Sequence, residues 1–251
     1  EKLRLFFDKD RFQKCSTSFA KYGQYCLLIS CLLGLLIAVL LSIKFSQFYF
    51  LLIGLAWCFL LIVLQYSVVK FIIANERMAD STPSQVSSCA YFDCLALFFG
   101  LAGAIVLGVG LYSVVKFNEM DVLFVTVAIF IGLEFLAWIA INPSIVNIDV
   151  VEKTSAGLEF VGISSFFLKC MLKMSPIVFG ANMVVGLFYL ALSSVHLLQT
   201  DKMLLYFMVK APIFSGVIVG SACLPFFVYF VFITNYFLLD MCRSILLVDR
   251  R

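Results

Sequence analysis

Apolar residues are concentrated in six long stretches of the chain, and charged or turn-forming residues separate these stretches. Each is about 20 residues long or longer, the length that crosses roughly 30 Å of hydrocarbon as a helix with about 1.5 Å of rise per residue. The six stretches are Gln24–Ile43, Phe48–Val69, Leu95–Val115, Val122–Ile141, Pro176–Leu198 and Ala211–Leu239. The pattern predicts an all-α, polytopic integral membrane protein with six transmembrane helices, and residues 1–251 form a single membrane domain in this interpretation.

The composition excludes several classes of protein. Of the 251 residues, 63% are hydrophobic and only 13% are charged, and the mean hydropathy is +1.09. Soluble domains are about half apolar and about one quarter charged. Because so few polar side chains cannot cover the surface of a globule, the composition excludes a soluble enzyme, a disordered chain and a secreted disulfide scaffold.

Lysine and arginine are distributed unevenly among the segments that connect the apolar stretches. The N-terminal tail (residues 1–23), the second and fourth connections and the C-terminal tail hold 14 of the 18 basic residues. Basic residues favour the cytoplasmic side of short connections. We therefore expect both termini to be cytoplasmic and the plasma (inner) membrane to be the location. The longest connection, residues 142–175, then lies on the inner face, where a soluble partner could reach it.

Two proline motifs have the form of a helix start. Thr82-Pro83-Ser84-Gln85 combines a capping threonine, a proline at the first helical position and a glutamine at the third, which predicts a helix that begins there and continues into the third span. Ser175-Pro176 has the same cap-then-proline order at the fifth span. The Asn142-Pro143 and Asn147-Ile148-Asp149 turns indicate a helix stop followed by a short extended segment.

The residues before the fifth span, Leu158–Met174, have an amphipathic helical pattern. Glu159, Gly162, Lys169 and Lys173 share one stripe of the helix, whereas Phe160, Val161, Phe167, Leu168 and Met171 lie elsewhere. This pattern predicts an interfacial helix on the inner leaflet. An ordinary connection near the lipid headgroups would acquire a similar pattern, and Phe166 interrupts the charged stripe.

Small residues recur four positions apart in three spans. Such faces let helix backbones approach closely in lipid. They comprise Ser30, Gly34, Ala38 and Ser42 in the first span, Gly100, Ala104 and Gly108 in the third, with Gly103 and Gly110 nearby, and Gly216 and Gly220 in the sixth. These faces predict helix contacts, either inside the chain or with partner subunits. Besides these the lipid bilayer is the expected partner, and nothing in the sequence suggests nucleic acid.

Glu134 is the sharpest candidate site residue, because it is the only charged residue near the middle of a predicted span. An ionisable side chain at that depth is costly unless it faces the interior of the bundle, and such residues often serve transport. No lysine or arginine of another span is placed to neutralise it, so the carboxyl is expected to be protonated much of the time. It would then couple protons or cations, or act as a neutral hydrogen-bonding link between helices. The candidate polar partners are Gln65, Asn182, Tyr189 and Asn235.

Other chemistry is poorly supported by the sequence. His196 is the only histidine, which is too few for an ordinary zinc site, and it is interpreted as an interfacial anchor. The nine cysteines contain no Cys-x-x-Cys pair and are interpreted as small apolar side chains. We find no phosphate loop, hydrolase motif or channel-filter motif. No catalytic residue, metal ligand or cofactor is predicted.

These observations lead to a function only at the level of a class. Short outer connections argue against a receptor, and the absence of an internal repeat argues against a lone secondary transporter. We expect an integral membrane subunit of a larger assembly that assists the transport or secretion of a substrate. The alternative is a stand-alone channel or proton- or cation-coupled carrier that uses Glu134, and a third possibility is a lipid-modifying membrane enzyme.

Overall fold

A computed structural model describes residues 8–117, 120–199 and 203–248 of the chain. Most of these residues form long helices, and two short strands and one 3-10 helix lie between them. The elements are α1 (Lys9–Phe45), α2 (Tyr49–Ser81), β1 (Ser84–Val86), α3 (Cys89–Phe117), α4 (Met120–Ile141), a 3-10 helix (Pro143–Val146), β2 (Ile148–Val150), α5 (Ala156–Gln199) and α6 (Met203–Val248).

Each of the six helices contains a segment that is long and apolar enough to cross a membrane. The six predicted spans lie inside these helices to within one residue. The prediction of an all-α, polytopic membrane protein is therefore confirmed. The helices extend beyond the predicted spans, and α1 already begins at Lys9, inside the segment that we expected to be a basic tail.

The chain divides into two compact units. The first contains Glu1–Thr17, Ile72–Val178 and Phe227–Arg251, and the second contains Ser18–Phe71 and Phe179–Phe226. The helices α1, α2, α5 and α6 each contribute one part to each unit, whereas α3, α4 and both strands belong wholly to the first.

In the second unit, α1 and α2 pack through small residues. A Cβ atom added to Gly34 would lie 2.5 Å from the Trp57 ring, and one added to Gly54 would lie 2.3 Å from the Cβ of Ala38. Such distances are too short for any side chain larger than hydrogen. The small-residue face of the first span is therefore used inside the chain, at least at Gly34 and Ala38.

In the first unit, α3 and α4 form a closely packed hairpin. A Cβ atom on Gly110 would lie 2.0 Å from Oγ1 of Thr126, and one on Gly103 would lie 2.9 Å from Oε1 of Glu134. The beginning of α1 packs against α4, where the buried Phe12 ring meets Phe135 edge-on with ring centroids 5.7 Å apart.

The expected helix start at Thr82 is wrong. Helix α2 continues to Ser81, and the Thr82 hydroxyl donates to the carbonyl of Met78 near the end of that helix. The following residues form β1, which pairs in parallel with β2 so that Ser84 faces Ile148. Helix α3 begins only at Cys89, and the Ser88 hydroxyl accepts from the amide of Tyr91. The pairing with β2 has overridden the local capping signal.

The expected helix start at Pro176 is also wrong, because α5 continues through Pro176 as one helix from Ala156 to Gln199. Proline lacks the amide that would bond the carbonyl of Leu172. The Ser175 hydroxyl donates to that carbonyl at 2.8 Å. This bond supplies the missing donor, so the helix can continue.

The separate interfacial helix expected at Leu158–Met174 is therefore the first part of a longer helix. Its charged stripe faces the inside of the chain, since Lys169 and Lys173 are buried, while Phe160 and Phe167 are exposed. The prediction of a stop and an extended segment after α4 is confirmed, because a 3-10 helix and β2 follow and Asn147 between them has a left-handed backbone conformation with φ of 53°.

Candidate functional site around Lys169

Glu134 does not point into a closed interior. Its side chain is exposed on the described chain, although it lies seven residues before the end of α4, a distance of about 10 Å along the helix axis. The Glu134 carboxylate lies beside Gly103 of α3. A Cβ atom added to Gly103 would lie 2.9 Å from Oε1 of Glu134. Glu134 is therefore accessible on the described chain, and its expected role in coupling or in linking helices stays a prediction.

The predicted polar partners of Glu134 are divided between the two units. Gln65, Asn182 and Tyr189 belong to the second unit, whereas Glu134 and Asn235 belong to the first. Asn235 is exposed, and its amide donates to the carbonyl of Val231 on its own helix at 2.8 Å. Among the residues that the structure describes, no hydrogen bond joins Asn235 to Glu134.

A buried polar cluster that the sequence did not predict lies in the first unit around Lys169. The Lys169 side chain is fully buried. Its ammonium nitrogen donates to the hydroxyl of Ser84 at 3.0 Å and to the backbone carbonyl of Asn147 at 3.1 Å. Lys169 therefore joins α5 to the start of β1 and to the turn before β2.

Two serine hydroxyls complete the centre of this cluster. Ser84 and Ser165 are both buried, and their hydroxyl oxygens are 2.8 Å apart, within hydrogen-bond distance. Ser165 lies four residues before Lys169, so both side chains occupy the same face of α5. The charged stripe seen in the sequence is thus the wall of an internal polar site.

A second lysine on this face holds the end of α2. Lys173 is buried, and its ammonium donates to Oδ1 of Asp80 at 3.0 Å. The side chain of Asn147 donates to the backbone carbonyl of Asp80 at 2.7 Å. The end of α2, the turn before β2 and α5 are therefore connected by directional bonds.

Glu159 connects the start of α5 to the start of α3. Its carboxylate accepts hydrogen bonds from the backbone amides of Ser87 and Ser88 and from the hydroxyls of Ser87 and Thr154. These four donors stabilise the negative charge without a cation. Glu159 is therefore satisfied within the chain and takes the role of a structural anchor.

A cavity of about 140 Å³ opens beside this cluster. Its polar lining combines hydroxyls, one amide and two opposite charges, and its apolar lining comes from α5 and α6. The lining residues are Ser84, Gln85, Thr154, Leu158, Val161, Gly162, Ser165, Tyr236, Leu239, Asp240 and Arg243. Two of the lining residues, Ser84 and Gln85, belong to β1.

Sequence reasoning singled out Lys169 and Lys173 but assigned them to a water-facing stripe. The signal that could have corrected this was Gly162, because a glycine on the same stripe marks a close backbone contact. A Cβ atom there would lie 2.4 Å from the carbonyl oxygen of Gln85 in β1. The stripe therefore had to face another part of the chain.

The remaining candidate residues add no second site. Within the described residues, Lys173 is paired with Asp80 and not with another candidate site residue. The side chain of His196 lies outside the described part of the structure. No group of three or more His, Cys, Asp and Glu side chains suited to a metal ion occurs among the residues searched in the described ranges.

Comparisons with protein-family models, with curated proteins and with solved structures find no match to this chain.

Proposed function

We propose that this protein is an integral membrane subunit of a larger membrane assembly, in which another chain covers Glu134. The assembly, in this proposal, helps to transport or secrete a substrate. Glu134 is then a docking residue of the subunit.

The exposure of Glu134 is the observation that carries the proposal. A charged group near the centre of a span costs about 2.5–3.5 kcal/mol on insertion scales. Such groups almost always face protein or a water-filled cavity. Glu134 is exposed on the described chain and lies about 10 Å from the end of α4. A helix of a second chain that offers a hydrogen-bond donor would remove this cost.

Uncovered small residues on α3 give independent support. A Cβ atom added to Gly100 or Gly108 would meet nothing within 4 Å, and Ala104 between them is exposed. In contrast, Gly103 and Gly110 of the same helix are occupied by contacts with α4. The face that contains Gly100, Ala104 and Gly108 is therefore free to receive another helix by close backbone packing.

The transport or secretion role is supported by the short connection between α1 and α2. The connection between α1 and α2 consists of three residues, Ser46–Phe48, which is too short to form a ligand-binding domain. A subunit of this kind contributes spans to an assembly, and moving a substrate through the membrane is the activity that such spans best serve.

A stand-alone channel or coupled carrier is the alternative function. In that case Glu134 would bind a proton or cation beside a cavity in this chain. The cavity described above is not lined by Glu134, which makes this alternative less well supported than the subunit. A lipid-modifying enzyme is third, since neither the sequence motifs nor Glu134 indicates a reaction.

The test is the mass of the native particle, measured by native mass spectrometry after extraction in mild detergent. Wild-type protein is expected to have a mass well above the 28.2 kDa of one chain. Glu134→Leu and Ala104→Leu should release the partner, because the first removes the hydrogen-bonding group and the second separates the helices. Val109→Leu enlarges another exposed residue of α3 and should leave the particle intact.

Glu134→Gln separates the proposed function from the carrier. The amide keeps shape and hydrogen bonding but cannot exchange a proton. A docking residue tolerates this change, so the particle mass and complementation of a deletion strain should be preserved. Loss of complementation with an intact particle would favour the carrier, and a wild-type particle of one chain would contradict the subunit.

A further inference from the structure

The polar cluster formed by Lys169, Ser84 and Ser165 has more donor hydrogens than its hydrogen bonds use, and its two serines line the cavity. Lys169 has three N–H bonds, and two of them have acceptors, at Ser84 and Asn147. Ser84 and Ser165 carry two hydroxyl hydrogens, and the bond between them uses one. One N–H of a buried ammonium and one buried O–H therefore lack an acceptor within the described part of the chain.

Arg243 and Asp240 line the cavity with opposite charges, and Arg243 is the candidate partner of a negative ligand. Arg243 lines the cavity and forms no ion pair with any residue that the structure describes. Its positive charge acts on that of Lys169, and Asp149 is the nearby group of opposite sign that offsets this repulsion. Two cations that repel each other are stabilised by a negative group placed between them.

The cavity has the size of a small oxyanion with an apolar attachment. Its volume of about 140 Å³ equals that of roughly four to five water-sized groups at about 30 Å³ each. Leu158, Val161 and Leu239 form apolar walls. A polar end with hydroxyls and cations and an apolar side suit a charged headgroup that carries hydrocarbon.

We propose that this cavity binds a phosphate group, which either belongs to an anionic phospholipid or to a small soluble phosphate. The oxygens of a phosphate would accept from the unused O–H of the Ser84 and Ser165 pair and from Arg243. Arginine suits this role because its planar donors match phosphate oxygens. The proposal goes beyond the subunit function and does not depend on Glu134 or on a partner chain.

One residue of the cavity lining carries a negative charge, so its removal should change phosphate binding in the direction opposite to the removal of Arg243. Asp240 lies three residues before Arg243 on α6 and is exposed. Its carboxylate repels a phosphate in the cavity. Neutralising Asp240 should therefore strengthen binding, whereas neutralising Arg243 should weaken it.

The experiment uses the purified full chain in a nonionic detergent, with the thermal unfolding midpoint measured against ligand concentration. The probes are dioctanoyl phosphatidylglycerol, inorganic phosphate, and dioctanoylglycerol, which has the same acyl chains but no phosphate. The variants are Arg243→Gln, Asp240→Asn and, as a matched control, Arg77→Gln, an exposed arginine that does not line the cavity.

Stabilisation by phosphatidylglycerol but not by dioctanoylglycerol or inorganic phosphate assigns the cavity to a lipid headgroup. Stabilisation by inorganic phosphate assigns it to a soluble phosphate. In either case Arg243→Gln should weaken the apparent affinity about tenfold, the scale of a hydrogen bond to a charged group. Asp240→Asn should strengthen it a few-fold, and Arg77→Gln should leave it unchanged.

The proposal is overturned if neither phosphate probe stabilises the protein more than dioctanoylglycerol does. It is also overturned if Arg243→Gln and Asp240→Asn bind the stabilising probe as the wild type does. Because Asp240 is exposed and Arg243 is only half-buried near the end of α6, the variants are expected to fold and the comparison remains decisive.

Discussion

Lys173 donates a hydrogen bond of 3.0 Å to Oδ1 of Asp80, and the two side chains differ greatly in exposure, with 3% of Lys173 and 51% of Asp80 accessible. The pair therefore joins a buried ammonium group to a solvent-exposed carboxylate. Its strength is reduced by solvent at Asp80, but the buried ammonium depends on it.

The first prediction concerns this pair. Asp80→Asn should lower the free energy of unfolding by about 1 kcal/mol, because it leaves a buried cation without its counter-charge. Lys173→Met should cost less, since it removes the buried charge itself. Chemical unfolding in mixed micelles measures both. Glu152→Gln, a change at an exposed acid, is the control, and an equal loss from Glu152→Gln would contradict the assignment.

Ser175 provides the second prediction. Its hydroxyl donates to the Leu172 carbonyl that Pro176 leaves without a donor, and it accepts from the amide of Asn75 at 3.0 Å. Ser175→Ala breaks both bonds and should lower the free energy of unfolding by about 1–3 kcal/mol. Ser67→Ala is the matched control, because the Ser67 hydroxyl only adds a bond to the Val63 carbonyl of an intact helix. We expect the control to change stability by less than about 0.5 kcal/mol.

If Ser175→Ala were as mild as Ser67→Ala, the continuation of α5 through Pro176 would need another explanation. Circular dichroism of both variants shows whether helix content changes together with the thermal midpoint.

Gly162 provides the third prediction. A Cβ atom there would lie 2.4 Å from the Gln85 carbonyl, which belongs to a strand and cannot move freely. Gly162→Ala should therefore destabilise the protein by about 1–3 kcal/mol and weaken the phosphate-dependent stabilisation, since Gly162 lines the cavity. A Cβ atom added to Gly108 would meet nothing within 4 Å. Gly108→Ala should therefore stabilise α3 by up to about 1 kcal/mol in the unassembled chain. Equal effects of the two substitutions would show that α5 and β1 are less closely packed.

The fourth prediction is the orientation. The bias of basic residues predicts that both termini lie in the cytoplasm. Reporter domains fused after Lys44, Lys116 and Asp201 should report a position outside the cytoplasm. Cytoplasmic activity at two of these three positions would contradict the six-span topology with inner termini.

The sequence was sufficient for the spans because apolar length is a property of each segment alone. Hydrocarbon thickness fixes the number of residues that a helix needs, so Leu95–Val115 and Val122–Ile141 could be located without knowledge of their neighbours. The stop after α4 could be predicted for the same reason, since Asn142-Pro143 is a local signal.

The errors arise where a distant part of the chain decides the local structure. Thr82-Pro83 has the local form of a helix start, but the residues that follow pair with β2, more than 60 positions away. Likewise Ser175-Pro176 has the local form of a helix start. The helix continues because the Ser175 hydroxyl donates to the Leu172 carbonyl, which the proline leaves without a donor. No local pattern contains either contact.

The candidate site was the least predictable feature. Lys169 on an amphipathic helix normally faces water, and only its contacts with Ser84 and Asn147 show that it is buried. In the same way, the depth of Glu134 could be inferred from the sequence, but its exposure depends on how α3 and α4 pack. The polar partners proposed for Glu134 in the second unit stay predictions.

Site-specific photocrosslinking in native membranes tests the central claim, that another chain covers the surface around Glu134 and the small-residue face of α3. A diazirine-bearing residue is placed at Leu101, which is exposed next to Gly100 and leaves Glu134 intact. In a second variant it is placed at Val109, which is 56% exposed and points away from the small-residue face of α3. We expect a protein adduct of defined mass at Leu101, lost in Glu134→Leu, and lipid adducts at Val109. Lipid adducts alone at both positions would contradict the central claim.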